Sequence, residues 1–220
     1  KVLLIDATGE YENLPCESYY VGEHPHATLQ NKVTYPHWMF TDSDIRALLR
    51  PSAQSQAPKL EEAIRSLKVV TVATQCWQQQ NHGLSITHTF NLEKAEKAKQ
   101  PFEIAIRNIQ QNFSIIPWEF YALAEQIIAE CVFPIGGTYQ TPNPSIWGKR
   151  ADNDVGYCLS LISRIKAMQN NIHLKWMLDC DSSLKTILSI IDNLCQPSNK
   201  IVRLDLSAVP FEANARELLV

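Results

Sequence analysis

Glycine is scarce in this sequence, which contains only seven among 220 residues. None of them forms G-x-x-x-x-G-K-[ST] or G-x-G-x-x-G, the two patterns whose backbone amides cradle phosphate groups. Gly148, Lys149 and Arg150 are consecutive, but the upstream glycine and the following hydroxyl residue of such a loop are missing. We therefore expect no phosphate-binding loop within these residues.

Paired cysteines and long apolar runs are missing as well. There is no C-x-x-C pair and no histidine cluster at metal-ligand spacing, so we expect reduced thiols and no metal site. No apolar run approaches the roughly 20 residues of a membrane-spanning helix, and no basic and apolar leader is found. The sequence is thus typical of a cytoplasmic protein without a membrane partner.

The charge balance provides no whole-chain attraction for nucleic acid. Twenty Lys and Arg against 23 Asp and Glu give a formal net charge of -3, so any DNA contact would have to be local. The best candidate for a DNA or partner contact is Trp147 beside Lys149 and Arg150, because an exposed aromatic ring next to cations can stack on a base. An anchoring role for Trp147 within its loop is an equally good interpretation. The alternating lysines and glutamates of residues 93–99, Lys94 among them, indicate a solvated helix face.

Two apolar, β-branched-rich segments predict strands buried on both faces of a parallel sheet. One covers residues 2–5 before Asp6, and the other covers residues 201–206 with Asp205 near its end. Each leads into an acidic turn, which indicates an α/β sheet with its chemistry at the carboxyl ends of the strands. Because strand patterns begin at Lys1 and an apolar segment reaches the last residue, we expect both ends to be cuts in a longer polypeptide.

The residues between these strands are predominantly helical by pattern. Proline and glycine concentrate in residues 133–152, which is the best internal break. We expect residues 1–40 to form a strand, an acidic turn and further strands, residues 41–195 to be mostly helical, and residues 196–220 to form a strand, a turn and a helix start. Apolar spacing and capping residues predict helices over 41–50, 60–83, 92–111 with a break or start at Pro101, 115–132, 155–168 and 184–194.

Asp6 and Glu10 flank the turn after the first strand. Carboxylates in such a position can orient water or bind a hydrated magnesium ion. A purely structural interpretation is favoured by residue type alone: Asp6 accepts hydrogen bonds from the amides of Thr8 or Gly9, and Glu10 is solvated.

Three segments of this sequence resemble the HerA-type hexameric DNA translocases, in the HerA/FtsK branch of P-loop ATPases. D-A-T-G-E-Y at residues 6–11 is similar to the D-P-H-G-E-Y element of the family, with Ala7 and Thr8 in place of Pro and His. D-L-S-A-V-P-F-E at residues 205–212 is similar to its D-L-S-G-[LV]-P-x-E strand and turn, with Ala208 in place of Gly.

The third segment lies between these two. P-H-W-M-F at residues 36–40, a leucine-rich helix after it, and S-Q-A-P-K-L-E-E-A-I at residues 55–64 are similar to the P-[FYH]-W-x-[LF] segment, helix and S-Q-x-P-x-L-x-x-A-[IL] helix of the family. The common order and spacing of the segments carry the resemblance, and residues 80–152 align with nothing in it.

The resemblance implies a partial RecA-like P-loop ATPase core with a large inserted helical bundle. It implies that Asp6 and Glu10 are catalytic and that Gly9 and Asp205 lie near the nucleotide. For the complete protein it implies ATP and Mg²⁺, a homo-hexamer, double-stranded DNA and a partner nuclease or effector, in DNA end processing or anti-phage defence. The phosphate-binding loop, the acidic metal-binding strand and the inter-subunit arginine of the family have no counterpart here, so we expect the isolated segment to be catalytically silent.

Two other functions are compatible with the sequence. The first is a non-catalytic protein-interaction module with an α/β platform and a helical bundle. The second is an unrelated small-molecule enzyme that uses Asp6, Glu10 and Asp205 around a crevice at the strand ends.

Overall fold

A five-stranded parallel sheet and seven α-helices make up most of the regular structure of the described residues, which confirms the α/β class. The computed structural model describes residues 1–76, 83–110, 116–179, 183–196 and 201–209. Helices contain more of these residues than strands do. None of the helices in these ranges combines the length and the apolar character needed to span a lipid bilayer.

The central strand of the sheet comes from the far end of the sequence. The strands of the sheet are β1 (Val2–Asp6), β2 (Glu17–Val21), β3 (Lys32–Thr34), β6 (Lys185–Thr186) and β7 (Ile201–Asp205). Their spatial order is β1-β7-β2-β3-β6, and every neighbouring pair is parallel. Val2 to Asp6 of β1 pair in register with Ile201 to Asp205 of β7, so that two predicted strands far apart in the sequence are direct neighbours.

Burial of the two predicted strands differs from the expectation. In β7, Val202 and Leu204 are 3% and 2% exposed, as expected for an internal strand. In β1, however, Val2 and Ile5 are 51% and 38% exposed. The prediction that β1 is buried on both faces is wrong, because among the described residues β1 is the outer strand of the sheet and pairs with β7 alone.

The chain divides into two compact units. The first consists of Lys1–Leu48 and Met168–Val220 and contains the whole five-stranded sheet, and the second consists of Leu49–Ala167. The predicted helical region, residues 41–195, extends past the second unit on both sides. Its later part contributes β6 and the helices α6 (Lys175–Leu178) and α7 (Ile187–Cys195) to the sheet-containing unit.

The helix boundaries follow capping residues and prolines. The remaining helices are α1 (Asp42–Leu49), α2 (Gln56–Cys76), α3 (Gln100–Ile109), α4 (Leu123–Glu130) and α5 (Asp152–Gln169). The hydroxyl group of Thr41 accepts a hydrogen bond from the Asp44 amide (3.3 Å) at the start of α1, as predicted. Pro101 lies in the first turn of α3, so the helix predicted over 92–111 begins only at residue 100.

The second unit is built around α2. This helix packs against α3 and α4, and a cluster of buried apolar side chains forms its interface with α3 and with the segment before it. The proline- and glycine-rich residues 133–152 include a two-stranded hairpin, β4 (Gly136–Gly137) and β5 (Pro142–Asn143), inside this unit. The predicted continuation of α2 over residues 77–82 and the helix start predicted after residue 209 lie outside the described residues.

Candidate functional site

The carboxyl ends of β1 and β7 bring two aspartates together at one edge of the sheet. Asp6 and Asp205 are register partners and are each 1% exposed. Arg203, on the same face of β7 two residues before Asp205, lies between them and is fully buried. Its Nε donates to Oδ2 of Asp6 at 2.8 Å, and its Nη2 donates to Oδ2 of Asp205. One guanidinium group therefore joins the ends of two strands.

Asp6 is surrounded by hydrogen-bond donors. Its Oδ1 accepts from the amides of Gly9 (2.8 Å) and Thr8 (3.3 Å), and its Oδ2 accepts from the amide of Tyr11 (3.1 Å) in addition to Arg203. Burial raises the pKa of Asp6. The hydrogen bonds from Tyr11, Arg203 and Gly9, together with the charge of Arg203, lower it by a larger amount, so the pKa lies below its ordinary value. The predicted capping of the turn by Asp6 is confirmed.

The turn that follows β1 packs against the turn that follows β7. Gly9 has a positive φ of +81°, a conformation that residues with a Cβ rarely adopt. A Cβ at this position would lie 3.4 Å from Cβ and Oγ of Ser207, whose amide in turn donates to Oδ1 of Asp205 at 2.8 Å. The D-A-T-G-E-Y and D-L-S-A segments thus meet directly.

An aromatic pair lies next to Asp205. The rings of Tyr20 and His24 stack with centroids 4.5 Å apart, and Nε2 of His24 is 3.9 Å from Oδ2 of Asp205. The guanidinium carbon of Arg203 is 6.0 Å from the centroid of the Tyr20 ring. The cluster combines the side chains of two aspartates, one arginine and one histidine in a largely buried position.

Glu10 differs from Asp6 because its side chain is exposed. It follows Gly9 in the turn. The carboxylate of Asp6, in contrast, accepts hydrogen bonds from three backbone amides and from Arg203. The predicted solvation of Glu10 is confirmed, and this position leaves its carboxylate accessible to a ligand or to a neighbouring molecule. Asp6 shapes the turn, whereas Glu10 is the accessible acid of the pair.

A magnesium ion does not fit the cluster as it stands. The oxygens of Asp6 and Asp205 face amide and guanidinium donors at hydrogen-bond distance, and a hard cation needs oxygen ligands without such donors between them. Within the ranges that the structure describes, no three His, Cys, Asp or Glu side chains are grouped so that they could hold a metal ion. The cluster on its own orders two turns rather than binding a cation.

Arg203 was not among the predicted site residues, although its guanidinium group donates to both carboxylates of the cluster. In the pattern I-V-R-L-D-L it is one cation within an apolar strand. That pattern is itself the available signal, because a charge inside a buried strand requires a partner on the same face. Its Nη1 is buried and has no hydrogen-bond partner among the described residues.

Acid should destabilise the fold partly through Asp6. Because the pKa of Asp6 is lower in the folded chain than in the unfolded chain, its carboxylate stabilises the fold fully above about pH 4. This contribution is lost as the pH falls through the folded-state pKa. We therefore expect Asp6→Asn to be less stable than wild type near neutral pH and to lose less stability on acidification, as measured by urea unfolding at several pH values. Equal pH dependence of both proteins would contradict this assignment.

Trp147, the candidate for a DNA or partner contact, does not have the geometry expected for stacking on a base. The ring of Trp147 packs edge-on against Phe102, with centroids 5.7 Å apart, and lies 5.1 Å from Nζ of Lys94. This packing supports the anchoring interpretation of Trp147. Lys149 and Arg150 are exposed, and Nε of Arg150 pairs with Asp152 at 2.9 Å.

The predicted solvated lysine face is wrong at Lys94. Residues 92–99 precede α3 instead of forming a helix, and Lys94 is only 4% exposed. Its Nζ pairs with Oε2 of Glu130 at 2.5 Å and lies 4.3 Å from the centroid of the Phe102 ring. Alternating charges do not distinguish such a buried cation from solvated ones.

Comparisons with known proteins provide no assignment. A scan against protein-family models and a search of curated proteins both found no match to this chain.

Proposed function

We propose that this chain is an internal segment of a HerA-like, ATP-dependent DNA translocase, with β1, β7 and their turns forming part of a RecA-like core. The observation that carries the proposal is the meeting of the two outer resemblance segments. Residues 6–11 and 205–212 are far apart in the sequence, yet the strands before their turns are adjacent and parallel, and Gly9 lies beside Ser207. Two turns that face the same nucleotide, as the resemblance implies, must follow strands that are neighbours in the sheet.

The geometry supports separate roles for the two acids. Asp6 holds three backbone amides and Arg203, and so fixes the course of the turn that carries Gly9 and Glu10. Glu10 extends from this turn into solvent. In the complete protein we assign to Glu10 the orientation of the water that attacks the phosphate or a contact with a neighbouring subunit, and to Asp6 the positioning of Glu10. ATP, magnesium, duplex DNA and the hexameric ring belong to the proposal for the complete protein.

The test uses the complete protein that contains these residues. Glu10→Gln keeps the size and hydrogen-bonding capacity of the side chain but removes its charge and its basicity. If Glu10 takes part in the reaction, this change should reduce ATP turnover by about 100-fold, the lower range for a positioned acid or base. Steady-state ATPase rates measure the effect, with ATP affinity and oligomeric state determined in parallel.

Glu12→Gln is the matched control, because Glu12 is an exposed glutamate two residues further on and pairs only with the side chain of His26, at 2.8 Å, among its described ion pairs. It should leave turnover within about twofold of wild type. Unchanged turnover in Glu10→Gln would remove Glu10 from the reaction. A coding sequence without G-x-x-x-x-G-K-[ST] some tens of residues before Lys1 would reject the ATPase proposal itself.

A non-catalytic interaction module is the second candidate. It is favoured by the complete use of Asp6 and Asp205 within the fold, since carboxylates saturated by protein donors are typical of structural turns. The two candidates differ in one outcome. In the first, the wild-type protein should hydrolyse ATP and Glu10→Gln should lower that rate, whereas in the second the wild-type protein should show no ATP turnover.

A further inference from the structure

A cavity of about 470 Å³ lies within the second unit. It is open to solvent and is lined by residues of the segment 87–95, by α4, and by Val132 and Arg150 at the base of the hairpin. Its volume is within the range of small-molecule pockets, roughly 300–1,000 Å³. The proposed function makes no use of this cavity.

The floor of the cavity is apolar. Leu92 and Val132 are 1% and 8% exposed, and Ile128 and Ala129 are partly exposed on the α4 side. An aliphatic or aromatic group would remove this surface from water at a gain of about 25 cal/mol per Å². The cavity therefore favours a ligand with an apolar body.

Most polar groups around the cavity are already paired within the protein. The hydroxyl groups of Thr87 and Thr89 lie 2.8 Å apart, and Nδ2 of Asn91 donates to the carbonyl of Ala122 at 2.9 Å. The buried Lys94 is paired with Glu130. These groups provide few free donors or acceptors for a polar ligand.

The guanidinium group of Arg150 lies at the rim of the cavity and can donate hydrogen bonds to a ligand. Its Nε pairs with Asp152, and among the described residues no contact engages Nη1 or Nη2 of its side chain, which is 55% exposed. Two acids also line the cavity, Glu93 and Glu125, and each has its own lysine partner. A guanidinium group matches a carboxylate in a two-point contact, whereas the nearby acids disfavour a doubly charged anion.

We propose that this cavity binds a small amphipathic carboxylate, with its apolar body on Leu92, Ala129 and Val132 and its carboxylate on the guanidinium group of Arg150. The inference is independent of the ATPase proposal, because it uses only residues of the second unit. Monocarboxylic acids with an aliphatic chain or a single aromatic ring fit both the volume and the guanidinium group at the rim.

Octanoate is a suitable probe, and calorimetry on the 220-residue chain is the direct measurement. We expect saturable one-to-one binding with a dissociation constant of about 1 mM or lower. Arg150→Gln should weaken binding about tenfold, the size of a charge-assisted contact. The matched control Lys149→Gln removes an adjacent exposed cation that does not line the cavity, and should change affinity less than twofold.

A second variant tests the apolar floor. Ala129→Leu introduces a good helix former whose side chain occupies the cavity, and it should also weaken octanoate binding at least about tenfold while its circular dichroism stays that of wild type. Octyl phosphate should bind more weakly than octanoate.

Three results would overturn the proposal. They are the absence of saturable binding, equal effects of Arg150→Gln and Lys149→Gln, and octanol binding as tight as octanoate binding. The last result would indicate a purely apolar groove that receives a side chain of another protein. If Ala129→Leu does not fold, the two charge variants still decide the outcome, because both alter exposed side chains.

Discussion

Replacing Lys94 by Met should lower the free energy of unfolding by about 3–5 kcal/mol, the usual cost of leaving a buried charge without its partner. The carboxylate of Glu130, a residue only 1% exposed, accepts from Nζ of Lys94 (2.5 Å), from Oγ of Ser66 (2.6 Å) and from Nε2 of Gln126 (2.8 Å). Without Lys94, two neutral donors would have to compensate a full negative charge in the interior. Urea or guanidinium unfolding of the complete chain measures the loss.

Two further variants separate this charge effect from other causes. Lys97→Met removes a half-exposed lysine three residues later, whose contact with Glu93 is 3.8 Å, and should change stability by less than about 1 kcal/mol. Lys94→Met combined with Glu130→Leu removes both charges and should recover much of the lost stability. A loss below about 1 kcal/mol for Lys94→Met would show that Glu130 does not depend on this lysine.

Replacing Arg203 by Met should have an effect of similar size in the sheet-containing unit, about 3–5 kcal/mol. The substitution leaves Asp6 and Asp205, two neighbouring buried carboxylates, without the cation that lies between them. Arg203→Lys should restore only part of the stability, because an ammonium group cannot direct separate N–H groups at two carboxylates as a guanidinium group does. Unfolding by urea gives the comparison.

The pH dependence of this variant provides an independent check. Without Arg203 the two carboxylates gain most from protonation, so the stability deficit relative to wild type should shrink as the pH is lowered. Asp6→Asn combined with Arg203→Met should be more stable than Arg203→Met alone. A deficit that is constant with pH would indicate lost packing of the arginine side chain instead of unpaired charge.

The fold class and the first and last strands in sequence order could be predicted from the sequence, because their signals are local. Residues 2–5 and 201–206 are apolar, β-branched-rich and followed by turn residues, and the observed strands there are Val2–Asp6 and Ile201–Asp205. The helix starts at Thr41 and at Pro101 depend on capping and proline geometry that act within one turn. Such features do not depend on the rest of the fold.

The position of β1 at the outer side of the described sheet could not be predicted in the same way. A continuous apolar run is equally compatible with an internal strand and with an outer one, because only strand order determines what covers each face. β3 and β6 are three and two residues long, too short for any periodic pattern. Their place in the sheet follows from tertiary pairing.

The buried charges show the same limit more clearly. Lys94 lies among alternating acids and bases, and Arg203 lies within an apolar strand, yet both are almost fully buried and paired. The partners Glu130 and Asp6 are 36 and 197 residues away. A single sequence indicates that a charge needs a partner but not which distant residue provides it, so both pairs emerge only from the fold. The pairing of Asp6 with the local amides of Gly9 and Thr8, in contrast, was predictable.

The proposal that these residues belong to a DNA-translocating ATPase is tested most directly by ATP hydrolysis in the full-length protein. We predict magnesium-dependent hydrolysis that is stimulated by duplex DNA, together with no measurable turnover by the isolated 220-residue segment. A folded complete protein that neither binds nor hydrolyses ATP, with or without DNA, would contradict the assignment of this segment to a DNA-translocating ATPase.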